Sequence, residues 1–225
     1  MKVFNLLLFM FSLLTSATVF ADTSAFSLIT PNSDLTGFPS PYATVTVTTS
    51  GPNSNTATVM FSSDSTGGFL YLIGATNAAD VNVNATSFTP SNAITTSLPG
   101  FTPPSISFDN NRNVSSFGSF NLNLIFSDGF TNSVNSVTFN LTDNSGTWAS
   151  AANVLTDNNS GNLAAMHALV CSSSSCTVGG GAITTGFVSG QQVATPEPGT
   201  WLLMGSSLMG MYALTALKKR RVNVI

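Results

Sequence analysis

Across much of its length the chain places apolar side chains two positions apart, and that period decides what it can build. Ala43–Thr49 reads ATVTVTT, residues 80–84 read DVNVN, 119–126 read SFNLNLIF and 136–142 read SVTFNLT. Strict alternation gives an extended strand one buried and one wet face, whereas a helix needs apolar positions three and four apart. Further β-prone runs lie at 56–62, Phe69–Ile73, 105–108, 164–171 and 182–188. Turn signals separate them: Gly51-Pro52-Asn53, Gly67-Gly68, Asp109-Asn110-Asn111, Asp128-Gly129, Asp143-Asn144 and Asp157-Asn158-Asn159. Eight or nine short strands at this spacing predict an all-β fold, an antiparallel β-sandwich of jelly-roll or Ig-like type. Residues 85–104 read as a long loop, and 147–155, around Trp148, as a short helix or a buried aromatic plug. Seventeen phenylalanines, most of them in this body, supply enough core to argue against disorder.

Charge narrows the function classes. Only 7% of the 225 residues are charged, against roughly 25% in an ordinary soluble domain. Lys2, Lys218, Lys219, Arg220 and Arg221 sit at the two ends, leaving the body with Arg112, no lysine and eight aspartates. Such a body cannot neutralise a run of phosphates, which excludes nucleic-acid binding. One histidine, His167, and two cysteines are too few for a His- or Cys-based zinc site. With no Gly-x-Ser-x-Gly elbow to fix a nucleophile, His167 reads as a structural residue and the chain as non-enzymatic, without cofactor or metal. Asp109-x-Asn111-x-Asn113 starts like an EF-hand loop, but Val114 and Phe120 stand where glycine and glutamate belong. Asp157-x-Asn159-x-Gly161 is equally partial; turn chemistry accounts for both, with a loose extracellular Ca²⁺ site as the alternative. Cys171 and Cys176 bracket four serines; in an exported chain an even pair predicts a disulfide that clips the turn between the last two strands.

The ends read as addresses. Residues 1–21 have the layout of a secretory signal peptide: Lys2, an apolar run at 6–14 and small residues around Val19-Phe20-Ala21, with cleavage expected before Asp22. Residues 22–190 are then the β-sandwich ectodomain and 191–200 a linker containing Pro196-Glu197-Pro198. Residues 201–225 are a transmembrane helix with a basic cytoplasmic tail. Residues 201–217 carry no charge; at about 1.5 Å per residue they cover roughly 26 Å, near the thickness of a hydrocarbon core. Lys218, Lys219, Arg220 and Arg221 form the membrane stop and hold the C-terminus inside, so the body faces outward. The two prolines keep the stretch before the helix extended, a form suited to a protease that binds extended substrate.

Pro196, Glu197 and Pro198, the apolar span and the basic stop together resemble the PEP-CTERM class of exported bacterial proteins. The stretch from 117 to 190 is also similar to bodies found in that class, through Phe126-Ser127-Asp128-Gly129-Phe130 and Ser145-Gly146-Thr147-Trp148; this likeness brings no active site. The resemblance implies transient recognition by an exosortase, a membrane-embedded cysteine peptidase or transpeptidase, with Pro196, Glu197 and Pro198 as the sorting motif. It also implies a Gram-negative, exopolysaccharide-producing host. The expected course is anchoring in the inner membrane with a periplasmic body, then release to the cell surface or extracellular matrix. Extracellular polysaccharide is a further expected partner. The alternative reading is a carbohydrate-binding module in which Tyr42, Tyr71 or Trp148 stacks on sugars. A third, a hydrolase, needs two of the aspartates paired in a cleft.

Overall fold

The computed structural model describes residues 21–178 and 180–191. Apart from Ala21 and Gln191, the expected signal peptide, linker and membrane helix lie outside the described residues. Among the described residues no helix is long and apolar enough to cross a membrane.

The described residues form fifteen strands: β1 (Asp22–Leu28), β2 (Thr30–Pro31), β3 (Ala43–Thr49), β4 (Thr56–Ser63), β5 (Ser65–Thr66), β6 (Phe69–Ile73), β7 (Ala79–Val81), β8 (Phe88–Thr96), β9 (Ile106–Asp109), β10 (Arg112–Val114), β11 (Gly118–Phe120), β12 (Leu122–Phe126), β13 (Ser136–Asp143), β14 (Ala164–Ser172) and β15 (Ala182–Gly190). All pairings are antiparallel, as the alternating sequence predicts. The first sheet runs β1-β3-β4-β13-β8. The second runs β2-β15-β14-β7-β12-β9, with β6 also paired to β14 and β5 to β6. β10 and β11 form a separate hairpin.

The alternation of β3, β4 and β13 turns Val45, Val47, Val59, Phe61, Phe139 and Leu141 inward, where they share one core with Tyr71, Ile73, Val81, Leu124, Met166 and Val188 of the second sheet. Burying a side chain of this size contributes about 1.5–3 kcal/mol. The outward side of the second sheet is covered as well. Leu72, Leu169 and Cys171 pack with Phe101 in one small cluster, and Ala165 packs with Val114, Phe117 and Phe120 of the β10–β11 hairpin in another. β6 and β14 are therefore buried on both faces, which is why their sequences are nearly continuous in apolar residues and alternate so loosely.

Two expectations need correction, and one strand went unannounced. Residues 119–126 form two strands and not one. The chain breaks at Asn121, whose side chain takes the ladder's place by accepting from the Val83 amide (2.7 Å) and donating to the Val83 carbonyl (2.8 Å). Residues 85–104 are not a loop: they hold the nine-residue β8, an edge strand of the first sheet. Pro90 and the left-handed Asn92 (φ 54°) hid it, and an edge position tolerates both, since β13 accommodates them with a register shift between Thr138 and Asn140. β1, too, is a strand the alternation did not announce, because only Phe26 and Leu28 of its seven residues are apolar and buried. The stretch around Trp148 is both things expected of it. Trp148 is buried, its indole N–H donating to the Asn84 carbonyl (2.8 Å), beside a short 3₁₀ turn at Ala151–Asn153.

Candidate functional site

The sorting motif Pro196, Glu197, Pro198 and the stop Lys218, Lys219, Arg220, Arg221 lie outside the described residues. What the structure places is the body that precedes them. Its last strand, β15, ends at Gly190, and Gln191 donates from Nε2 to the Gly161 carbonyl (2.6 Å). Cys171 and Cys176 are joined by a disulfide (Cα–Cα 5.4 Å) at the turn between β14 and β15.

His167 stands on β14, half-buried, its ring stacked on Phe187 of β15 (centroids 4.3 Å, 27°). Nδ1 lies 3.2 Å from the Thr76 carbonyl, and Nε2 is hydrogen-bonded to the Thr185 hydroxyl. A carbonyl only accepts, so Nδ1 carries the proton and Nε2 of the neutral ring accepts from Thr185. Burial lowers the imidazole's pKa, opposed by the Thr76 carbonyl and the Asp128 carboxylate. The pair borders a depression of about 360 Å³ lined by Phe130, Leu169 and Ile183. The group orienting the imidazole is a backbone carbonyl, whereas a catalytic triad uses a carboxylate there.

Most of the aspartates accept hydrogen bonds from turn amides, hydroxyls or a neighbouring strand. Asp22 accepts from the Ala151 amide (2.6 Å) and Asp64 from the Thr44 hydroxyl (3.3 Å). Asp109 accepts from Arg112 Nε (2.6 Å), which holds its carboxyl below the usual range with help from the Asn110 amide. Asp143 is held low chiefly by the Ser145 hydroxyl, then by the Ser145 and Gly146 amides. In the first partial calcium loop Asp109 is thus taken up by Asn110 and Arg112, and the second is held by Asn158, whose Oδ1 accepts from the amides of Ser160 and Asn162. Among the described residues no three histidine, cysteine, aspartate or glutamate side chains gather as a metal group.

Asp80 was not singled out by the sequence. In β7 it faces outward from the main core, yet it is completely buried beneath the β10–β11 hairpin. Its Oδ1 accepts from Asn123 Nδ2 (2.6 Å), and Asn123 Oδ1 in turn accepts from the Arg112 amide (3.0 Å), tying strand to hairpin. Oδ2 has no partner. Desolvation raises the carboxyl's pKa well above the ordinary value; Asn123 and Arg112 pull the other way. Within DVNVN, Asp80 occupies a position that reads as solvent-facing, and only the hairpin over that face makes it interior.

The three aromatic side chains proposed as sugar platforms are all core residues, a correction to that part of the carbohydrate reading. Tyr42, Tyr71 and Trp148 are 1%, 0% and 2% exposed. The two tyrosine rings meet edge to face at 4.8 Å, and their hydroxyls donate to the carbonyls of Phe38 (2.8 Å) and Pro39 (2.6 Å). Burial, and then Tyr42, push the Tyr71 phenol up to about 12. The larger surface concavities lie elsewhere. A groove of about 560 Å³ is bordered by Phe88 and Phe108, and a trough of about 480 Å³ runs across the outer face of the first sheet.

Comparison with curated proteins and with solved structures found no match to the chain. The family model of the PEP-CTERM protein-sorting motif matches residues 194–221, which takes in Pro196, Glu197, Pro198, the uncharged span and the basic stop. The chain therefore carries a PEP-CTERM protein-sorting motif directly after its β-rich body, consistent with a PEP-CTERM domain-containing protein.

Proposed function

We propose that this chain is a non-enzymatic surface or extracellular-matrix protein, exported by its N-terminal segment and sorted by an exosortase at Pro196-Glu197-Pro198. The carrying observation is the sorting-motif match at residues 194–221, which begins just after β15 ends. In this reading residues 201–217 hold the protein in the inner membrane, with Lys218–Lys219–Arg220–Arg221 on the cytoplasmic side, until processing near the motif frees the body. The body is a β-sandwich, jelly-roll or Ig-like in connectivity, whose stability comes from the shared core between its two sheets. The scarcity of charge, the single histidine bonded to a carbonyl and a hydroxyl, and the self-satisfied aspartate turns support a role without chemistry.

Replacing Pro196, Glu197 and Pro198 together by alanine tests the reading in a host that has the exosortase. The expected result is retention of full-length protein in the membrane fraction and loss of the released form. Unchanged mature mass and location would refute sorting through this motif.

A further inference from the structure

The outer face of the first sheet holds no ionisable residue among its outward positions, although the body has eight aspartates. Register aligns those positions into rows that cross the strands. One row runs Ala25, Thr46, Met60, Thr138, Ile94. The neighbouring row runs Thr23, Thr48, Thr58, Asn140, Ser91, and the row on the other side Ser27, Thr44, Ser62, Ser136, Thr96. The result is a stripe with Ala25, Met60 and Ile94 as its apolar members and Thr46 and Thr138 interleaved, flanked by two rows of hydroxyls and the Asn140 amide. Met60 and Ile94 are two of the five large apolar side chains that the described residues leave exposed, and both sit in this one stripe. The carboxylate nearest these rows by hydrogen bonding is Asp64 at the rim, which accepts from Thr44 (3.3 Å).

The trough of about 480 Å³ follows the first hydroxyl row, past Thr48, Thr58, Asn140 and Ser91. Thr58 donates to Asn140 Oδ1 (3.0 Å), which uses the amide oxygen within the row and leaves the Nδ2 hydrogens for a ligand. Adjacent strands bring the pattern back about every 4.8 Å. A ligand that fits must be long, uncharged and periodic, with hydroxyls along its edges and C–H groups on its faces.

We propose that this face binds a neutral polysaccharide lying across the strands, its ring C–H faces on the Met60–Ile94 stripe and its hydroxyls paired with Thr48, Thr58 and Asn140. Polyanionic chains are disfavoured, because a body with eight aspartates and one arginine repels them. Recognition by this face is independent of sorting, so failure of one leaves the other intact.

The test uses the full chain, purified in mild detergent, in affinity electrophoresis through gels containing amylose, dextran, laminarin or alginate. Met60→Asp/Ile94→Asp places two separated charges on the stripe, and Ile183→Asp places one on the exposed β15 as a control. At least one neutral polymer is expected to retard the protein, with the double variant weakened about tenfold or more, Ile183→Asp unchanged and alginate without effect. Should the double variant fail to fold, Thr58→Ala/Asn140→Ala makes the same comparison with a smaller expected loss of about threefold. Absence of retardation by every neutral polymer, equal weakening by Ile183→Asp, or a dimer in sedimentation that Met60→Asp/Ile94→Asp dissolves would each overturn the proposal.

Discussion

Replacing Asp80 by asparagine isolates the effect of one buried carboxyl on stability. Asp80 is fully enclosed, Oδ2 has no partner, and its folded pKa is raised well above the ordinary 3.8. At pH below 3.8 the carboxyl is neutral whether the chain is folded or not, and the contribution to stability is at its maximum. As pH rises past that point the unfolded chain releases the proton while the folded chain keeps it. Stability then falls by about 1.4 kcal/mol per pH unit until the folded group also ionises. For a domain of this size that is roughly 3 to 6 °C in Tm per pH unit. Asparagine keeps the acceptor for Asn123 Nδ2 and has nothing to ionise, so Asp80→Asn escapes this loss. Other titrating groups, including Asp64, raised by burial, and His167, lowered by burial, are common to both proteins and cancel in the comparison. Thermal unfolding of the full chain followed by circular dichroism at pH 4, 5, 6 and 7 checks this. The Tm of Asp80→Asn minus that of the parent should climb with pH; parallel curves, or a variant that loses ground as pH rises, would refute the account.

Two further outcomes follow from the packing. Reducing the Cys171–Cys176 bridge, or replacing both cysteines by serine, should lower stability by about 2 kcal/mol, the entropy of so short a loop, read as a Tm drop with secondary structure retained. Gly186→Val should destabilise by about 1–3 kcal/mol in denaturant titration, because a Cβ there meets Leu35 Cγ and Asn32 Oδ1, both at 2.7 Å, where the Ser33–Leu35 turn lies against β15.

Where one sheet face is buried and the other wet, sequence alone located the strands well. Ala43–Thr49 is legible with the bounds the structure has and Ser136–Asp143 to within one residue; Phe69–Ile73 is legible too, although it is buried on both faces. What escaped was decided by partners far along the chain. β8 is a strand because β13 pairs with it despite Pro90 and Asn92, and nothing local announces that pairing. Asn121 looks like another polar residue in an alternating run until Val83, thirty-eight positions away, uses both ends of its amide. The same holds for the candidate sites. The sorting segment is contiguous and was legible, but the burial of Tyr42, Tyr71 and Trp148 depends on how two sheets meet. The charge-free face of the first sheet is invisible in any single strand; it emerges only when register sets Thr46 beside Met60 and Met60 beside Thr138.

At its C-terminal end, residues 187–190, the last described strand is not an edge. β15 is flanked by β14 along its length and by β2 at Val188 and Ser189, while the Ile29 amide donates to Ser189 O and the Leu163 amide to Gly190 O. Tension applied at Gly190 thus enters the body where two segments, residues 29–31 and 163–171, grip the chain from either side. It must shear the β14–β15 ladder before the strand peels away, so the bonds along that strand break together and not one at a time.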